Sequence, residues 1–347
     1  MKHIISILIL ICLLSVPVSA MEYSAPEPPA EVMPMMPQDT ESFGDGVAYI
    51  IKQGLKAASP SLRDATSVCI SLCAIAMLTG LVEKYLQSST GVTGLVGAVS
   101  AGCLLLSASG TLIRQSIEKI RQMQEYGKLL LPTLTAVHAA QGAPVSAAAL
   151  HSGTIAFLTF LVMLITKVIV PLIYGYLCLS IVSSAIDQDI LIKLKTSIKG
   201  VLTWSMRTVL YVFTGYMTIT SVVSGSADAS TLKATRLTIS GMIPVVGRIL
   251  ADASESVLVG AGILKSSIGV YGMIAILGIG MTPFLAAGLN YLLMKLTTIL
   301  CSVWGTKKYT GLISDAATAM GYVLSMTASV LIMLFVSIIC FLKGIHI

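Results

Sequence analysis

Arg248, Asp252 and Glu255 are the residues whose types and spacing could do chemistry together. They lie between long apolar runs in the stretch 237–265, in a chain that is only 11% charged. On a helix of about 3.6 residues per turn the three share one face, which Gly262 and Ser266 continue, while Leu250, Val257 and Leu264 lie opposite. A guanidinium and two carboxylates on one face could pair with each other, with a partner chain or with a passing ion. Charges near lipid are costly and are kept where they work. Pro244 and Gly247 act against a continuous helix from Leu237, so the spacing predicts a break there and a helix starting near Gly247. Such a helix would lie at the interface or re-enter the membrane.

Two further charges fall inside apolar spans. Lys167 stands four residues before Pro171, which frees a backbone carbonyl one turn earlier, and Arg207 lies near the start of another apolar run. They could face a polar pathway, pair with Asp252 or Glu255, or extend to the interface. Catalytic patterns are missing. His3, His138, His151 and His346 have no Cys, Asp or Glu at ligand spacing. His138 and His151 flank the small-residue stretch 139–149 and are expected in a loop or interface. No phosphate-binding loop and no Gly-x-Ser-x-Gly elbow occurs. Cys69, Cys73, Cys103, Cys178, Cys301 and Cys340 are scattered through apolar spans, where thiols act as small hydrophobes. No catalytic, cofactor or metal site is expected, and no enzymatic activity.

Positioning these residues falls to membrane helices. The chain is 55% hydrophobic, with a mean hydropathy of +0.90, whereas soluble domains are about 25% charged. The fold class expected is all-α, a polytopic integral membrane protein with about six or seven transmembrane helices plus interfacial amphipathic helices. Candidate spans are 65–82, 91–113, 154–185, 201–223, two within 267–304, and 322–342. Pro171 should kink or split the third, and Pro283 should mark a turn inside 267–304. Arg114, Glu118, Arg121, Glu125 and Lys128 alternate in sign on one face and read as an interfacial helix between the second and third spans. A net charge of +6 without basic–aromatic runs speaks for lipid headgroups rather than nucleic acid.

The N-terminus has a different character. Residues 1–20 read as a signal peptide, with Lys2 and His3, an apolar core, and Val18-Ser19-Ala20 as a cleavage site. Residues 21–60 are assigned to a flexible, acidic, Pro-rich extracytoplasmic leader, and 61–347 to the membrane domain. Positive charges at Arg114–Lys128 and at Lys193, Lys195 and Lys199 pull the topology in opposite directions, and the path after Pro171 stays open.

Several stretches together resemble the stage III sporulation protein AE family of endospore-forming bacteria. They are Ala234-Thr235-Arg236, Ile243-Pro244-Val245-Val246-Gly247-Arg248, Asp252-Ala253-Ser254-Glu255-Ser256-Val257, Leu264-Lys265 and Ile268-Gly269-Val270. Lys167 to Ile173, Leu179 to Ser183, Leu131-Pro132 and Pro144 to Ala148 are similar as well. The resemblance implies a multi-pass subunit of a channel or secretion-like complex linking mother cell and forespore. It would sit in the mother-cell membrane around the forespore and serve forespore development. The resemblance further implies an ATPase and ring-forming proteins as partners, and a homo-oligomer is compatible with it. The alternative is a secondary transporter for a small solute or ion, using Lys167, Arg207, Asp252 and Glu255 at helices broken by proline.

Overall fold

The structure, a computed structural model, describes residues 24–37, 43–85, 90–186, 188–242 and 246–342; over 231–262 it describes the backbone alone. The expected signal peptide lies outside the described residues, as does Pro244. Among the described residues seven long helices follow a short N-terminal strap: α1 (Phe43–Tyr85), α2 (Thr90–Ala140), α3 (Pro144–Leu164), α4 (Val170–Ala185), α5 (Asp189–Met242), α6 (Val246–Trp304) and α7 (Lys307–Leu342). Among the described residues there is no strand. The all-α membrane class therefore holds. By length and apolarity five segments of the described chain can cross a membrane: 44–83, 93–140, 144–185, 263–303 and 307–342. Six or seven were expected. The difference comes from the two halves of 267–304 being one helix, and from 201–223 belonging to α5, which is not among the five.

Helices α6 and α7 pair at the centre. Helices α1 and α2 pack against α6, α3 and α4 lie along α2 and α7, and α5 packs on α3, α4 and α7. The core is aliphatic, with Met123, Leu130, Leu158, Ile173, Phe213, Ile276, Met320 and Leu334 buried. Close approach relies on small residues, as in membrane bundles generally. Gly127 sits against Leu158 and Leu334, Gly272 against Leu130, and Gly280 against Leu331 and Met123.

Several sequence expectations are corrected. Pro283 does not turn the chain: it is buried inside the continuous α6. A membrane helix tolerates proline where neighbouring helices surround it. Pro171 does not split its helix either. One turn of π-helix, Ile165–Ile169, precedes it and joins α3 to α4. Widening the turn accommodates the ring and the missing N–H without ending the helix. Arg114 to Lys128 is not a separate interfacial helix but the middle of α2, since no breaker separates it from Ile113. The 21–60 leader is also not a loose tail throughout. Helix α1 begins at Phe43, with Ile50 and Ala58 fully buried, and residues 24–37 dock on the bundle. There the Val32 side chain fills space left by Gly278, and the Tyr126 hydroxyl donates to the Pro26 carbonyl at 3.2 Å. Glu31 pairs with Lys119, and Met35 lies against Thr282.

Candidate functional site: a buried polar junction

The densest buried polarity lies where α2 turns into α3. Gly142 ends the turn with φ 84°, a left-handed conformation that suits glycine just past a helix. Pro144 then opens α3 at its first position, where a missing N–H costs nothing. The next two backbone donors have no cap from Ala143, the residue preceding the helix. A distant side chain serves them instead. The Asp228 carboxylate, from α5, accepts from the Val145 N–H at 3.1 Å and from the Ser146 N–H at 2.8 Å. Ala147 N–H closes the first turn onto the Ala143 carbonyl. Asp228 is fully buried, and its negative charge meets the positive end of the α3 dipole.

Lys265 enters the same region from α6. It is 2% exposed, and its ammonium donates to Gln141 Oε1 at 2.8 Å. His138, in the last turn of α2, is equally buried, meets Phe341 edge-on at 5.8 Å, and feels the charges of both Lys265 and Asp228. Of the two places expected for it, loop or interface, it takes the interface between α2 and α7. His151 instead bridges the helices through Thr135 at 3.1 Å. Among the described residues two buried polar side-chain atoms have no hydrogen-bond partner, His138 Nδ1 and Ser146 Oγ. Such atoms are rare in folded interiors and mark places where a water, proton or ligand can engage. The junction thus gathers a cation, an anion, an imidazole and two spare polar atoms inside an apolar bundle.

A second network lies towards the other end of α7. Asp315 accepts from the Tyr176 hydroxyl at 2.8 Å and from Lys195 at 2.6 Å, joining α4, α5 and α7. Tyr322 stacks edge-on against Tyr176 and reaches Thr203 at 3.4 Å. Near it, Cys73 and Cys301 meet at 3.6 Å across α1 and α6.

The residues singled out in the sequence are placed as follows. Lys167 lies on the π turn and is exposed, and Arg207 is exposed on α5. Arg248, Asp252 and Glu255 fall in the first turns of α6, which begins at Val246 and already includes Gly247. Their side chains lie outside the described ones. Sequence reading missed the roles of Asp228, Lys265 and Asp315. Lys265 and Pro144 to Ala148 did stand in stretches that carried the family resemblance, and the structure joins those stretches in one junction.

A bundle of long apolar helices holding ionised groups in its interior defines the class: a polytopic helical membrane protein. The family model described as stage III sporulation protein AE matches residues 39–343, and the chain belongs to that family. Stage III sporulation protein AE of Bacillus subtilis (strain 168) is 25% identical over 235 residues, covering 68% of this chain and 59% of that relative. The chain thus spans less than two thirds of the curated relative's length. No solved structure matches it.

Proposed function

We propose that this protein is the multi-pass membrane subunit of a sporulation channel or secretion-like complex that joins mother cell and forespore. It sits in the mother-cell membrane, has no enzymatic activity, and works with an ATPase and ring-forming partners. Family membership supports the sporulation role. The observation that carries the conduit reading is the junction of Lys265, Asp228 and His138 inside an apolar bundle, since intramembrane ionisable groups mark paths or relays. Deleting the coding region in the spore-forming host and complementing it tests the reading. Wild type should restore heat-resistant spores, Lys265→Met should not at equal membrane level, and a tagged chain should co-purify with an ATPase and ring-forming proteins. Normal spores from the deletion strain would overturn the sporulation role. Saturable, ion-coupled uptake by the purified chain alone would replace the complex with a transporter.

A further inference from the structure

The exposed face of α2 is polar over a length that lipid does not permit. Ser107, Thr111, Arg114, Gln115, Glu118, Arg121, Glu125 and Lys128 are all exposed and fall on one side of the helix. At about 1.5 Å per residue this strip runs roughly 30 Å, close to the thickness of a hydrocarbon core. Its first half opens onto a cavity of about 210 Å³ between α1, α2 and α6, to which Ser61, Asp64 and the buried Asn290 contribute.

The depth of the strip follows from its neighbours. Met123, on the inner side of α2, touches Gly280 of α6, as does Leu331 of α7. Gly280 lies midway in the charge-free run between Lys265 and Lys295, and Leu331 midway in the one from Ala316 to Leu342. Gly127, a turn further on, touches Leu158 of α3, whose neighbour Phe157 meets Phe213 of α5. At this level α3, α5 and α7, away from the α2 strip in sequence and on other helices, expose Phe160, Met163, Tyr211, Val212 and Ile332. These helices therefore present a surface like a lipid face while the α2 strip, at the same depth, carries charges of alternating sign.

The strap is a second, independent sign. Residues 24–37 are mostly non-helical backbone, and they dock at this depth through Val32 at Gly278, Pro26 at Tyr126 and Glu31 at Lys119. Irregular backbone at membrane depth occurs only where protein buries it or water reaches it. Among the described residues the charges of the strip form no ion pair with one another, and water can solvate them where lipid cannot.

We propose that the α2 strip from Ser107 to Lys128, with the strap beside it, is the wall of a water-filled passage for small hydrophilic solutes, enclosed when copies of the chain associate. What passes rests on the conduit reading above; the contact with water does not. The test is labelling of the full-length chain in native membranes with a membrane-impermeant methanethiosulfonate, read by peptide mapping so that native cysteines stay in place. Thr111→Cys, Glu118→Cys and Glu125→Cys should react at least tenfold faster than Phe160→Cys, Val212→Cys and Ile332→Cys. Any variant that misses wild-type membrane levels is replaced by Gln115→Cys or Arg121→Cys. Strip positions as unreactive as the lipid-side ones would overturn the proposal. Protection in native membranes that disappears in liposomes holding the purified chain would also overturn it, showing the face to be a dock for another protein. Should the deletion strain sporulate normally, the conduit reading fails while the labelling contrast is unaffected.

Discussion

Asp228 offers the sharpest energetic test of the junction. Replacing it with alanine removes both acceptors for the Val145 and Ser146 N–H groups. Hydrogen bonds to a charged group contribute about 1.5–3 kcal/mol each, so losing two with Asp228→Ala should cost about 3–6 kcal/mol. Asp228→Asn keeps one carbonyl oxygen but loses the charge facing the α3 dipole, and should cost about half as much. The site is buried, so water does not make good the loss. The assay is reversible unfolding of purified protein in mixed micelles by increasing detergent denaturant, followed by circular dichroism. The order of stability should be wild type, then Asn, then Ala. An alanine variant within about 0.5 kcal/mol of wild type, the range of an ordinary surface change, would refute the view that Asp228 caps α3. Pairing each change with Lys265→Met separates capping from any charge coupling across the junction: capping predicts additivity.

Four further outcomes follow from the geometry. Gly142→Ala places a side chain at φ 84° and should cost about 1–2 kcal/mol in the same assay. Lys195→Met leaves the Asp315 carboxylate largely buried without its cation and should cost about 3 kcal/mol, whereas Lys195→Met with Asp315→Asn, which removes the charge and keeps an acceptor for the Tyr176 hydroxyl, should recover most of that. Gly278→Leu would put its Cβ 2.6 Å from Val32, so the strap should lift and 24–37 become cleavable by protease in intact membranes. The Lys119 ammonium, by hydrogen bond and by charge, holds the Glu31 carboxyl below the usual carboxylate range. That pairing favours the docked strap at neutral pH and is lost as pH falls through the lowered value, so cleavage of the strap should rise only below the ordinary carboxylate range and show no such rise with Glu31→Gln.

The membrane class was legible because composition alone excludes a soluble globule, and helix content followed from the apolar runs. Breaks were less legible. Proline at 171 and 283 reads locally as a stop, yet the surrounding helices and a single π turn absorb both. Of the charged residues that stood out, Lys167 and Arg207 turned outward, whereas Asp228, Lys265 and Asp315, which did not stand out, turned inward. Periodicity says which face a residue occupies but not which face meets a neighbour. That depends on pairings between helices far apart in the chain, such as Asp228 with Val145 and Ser146. The strap was hidden for the same reason: its acidic, Pro-rich composition signals a chain unable to fold alone, and it does not fold alone but borrows a groove.

That borrowed groove has a consequence for biogenesis. Val32 emerges from the ribosome early, while Gly278, which makes room for it, is synthesised only after most of the chain. The strap cannot seat until α6 is in place, so its docking is a late step and completes the assembly of the bundle. Until then the α2 part of its seat, around Lys119 and Tyr126, stays uncovered, and any factor that must act on a half-built chain has a surface that the finished protein no longer offers.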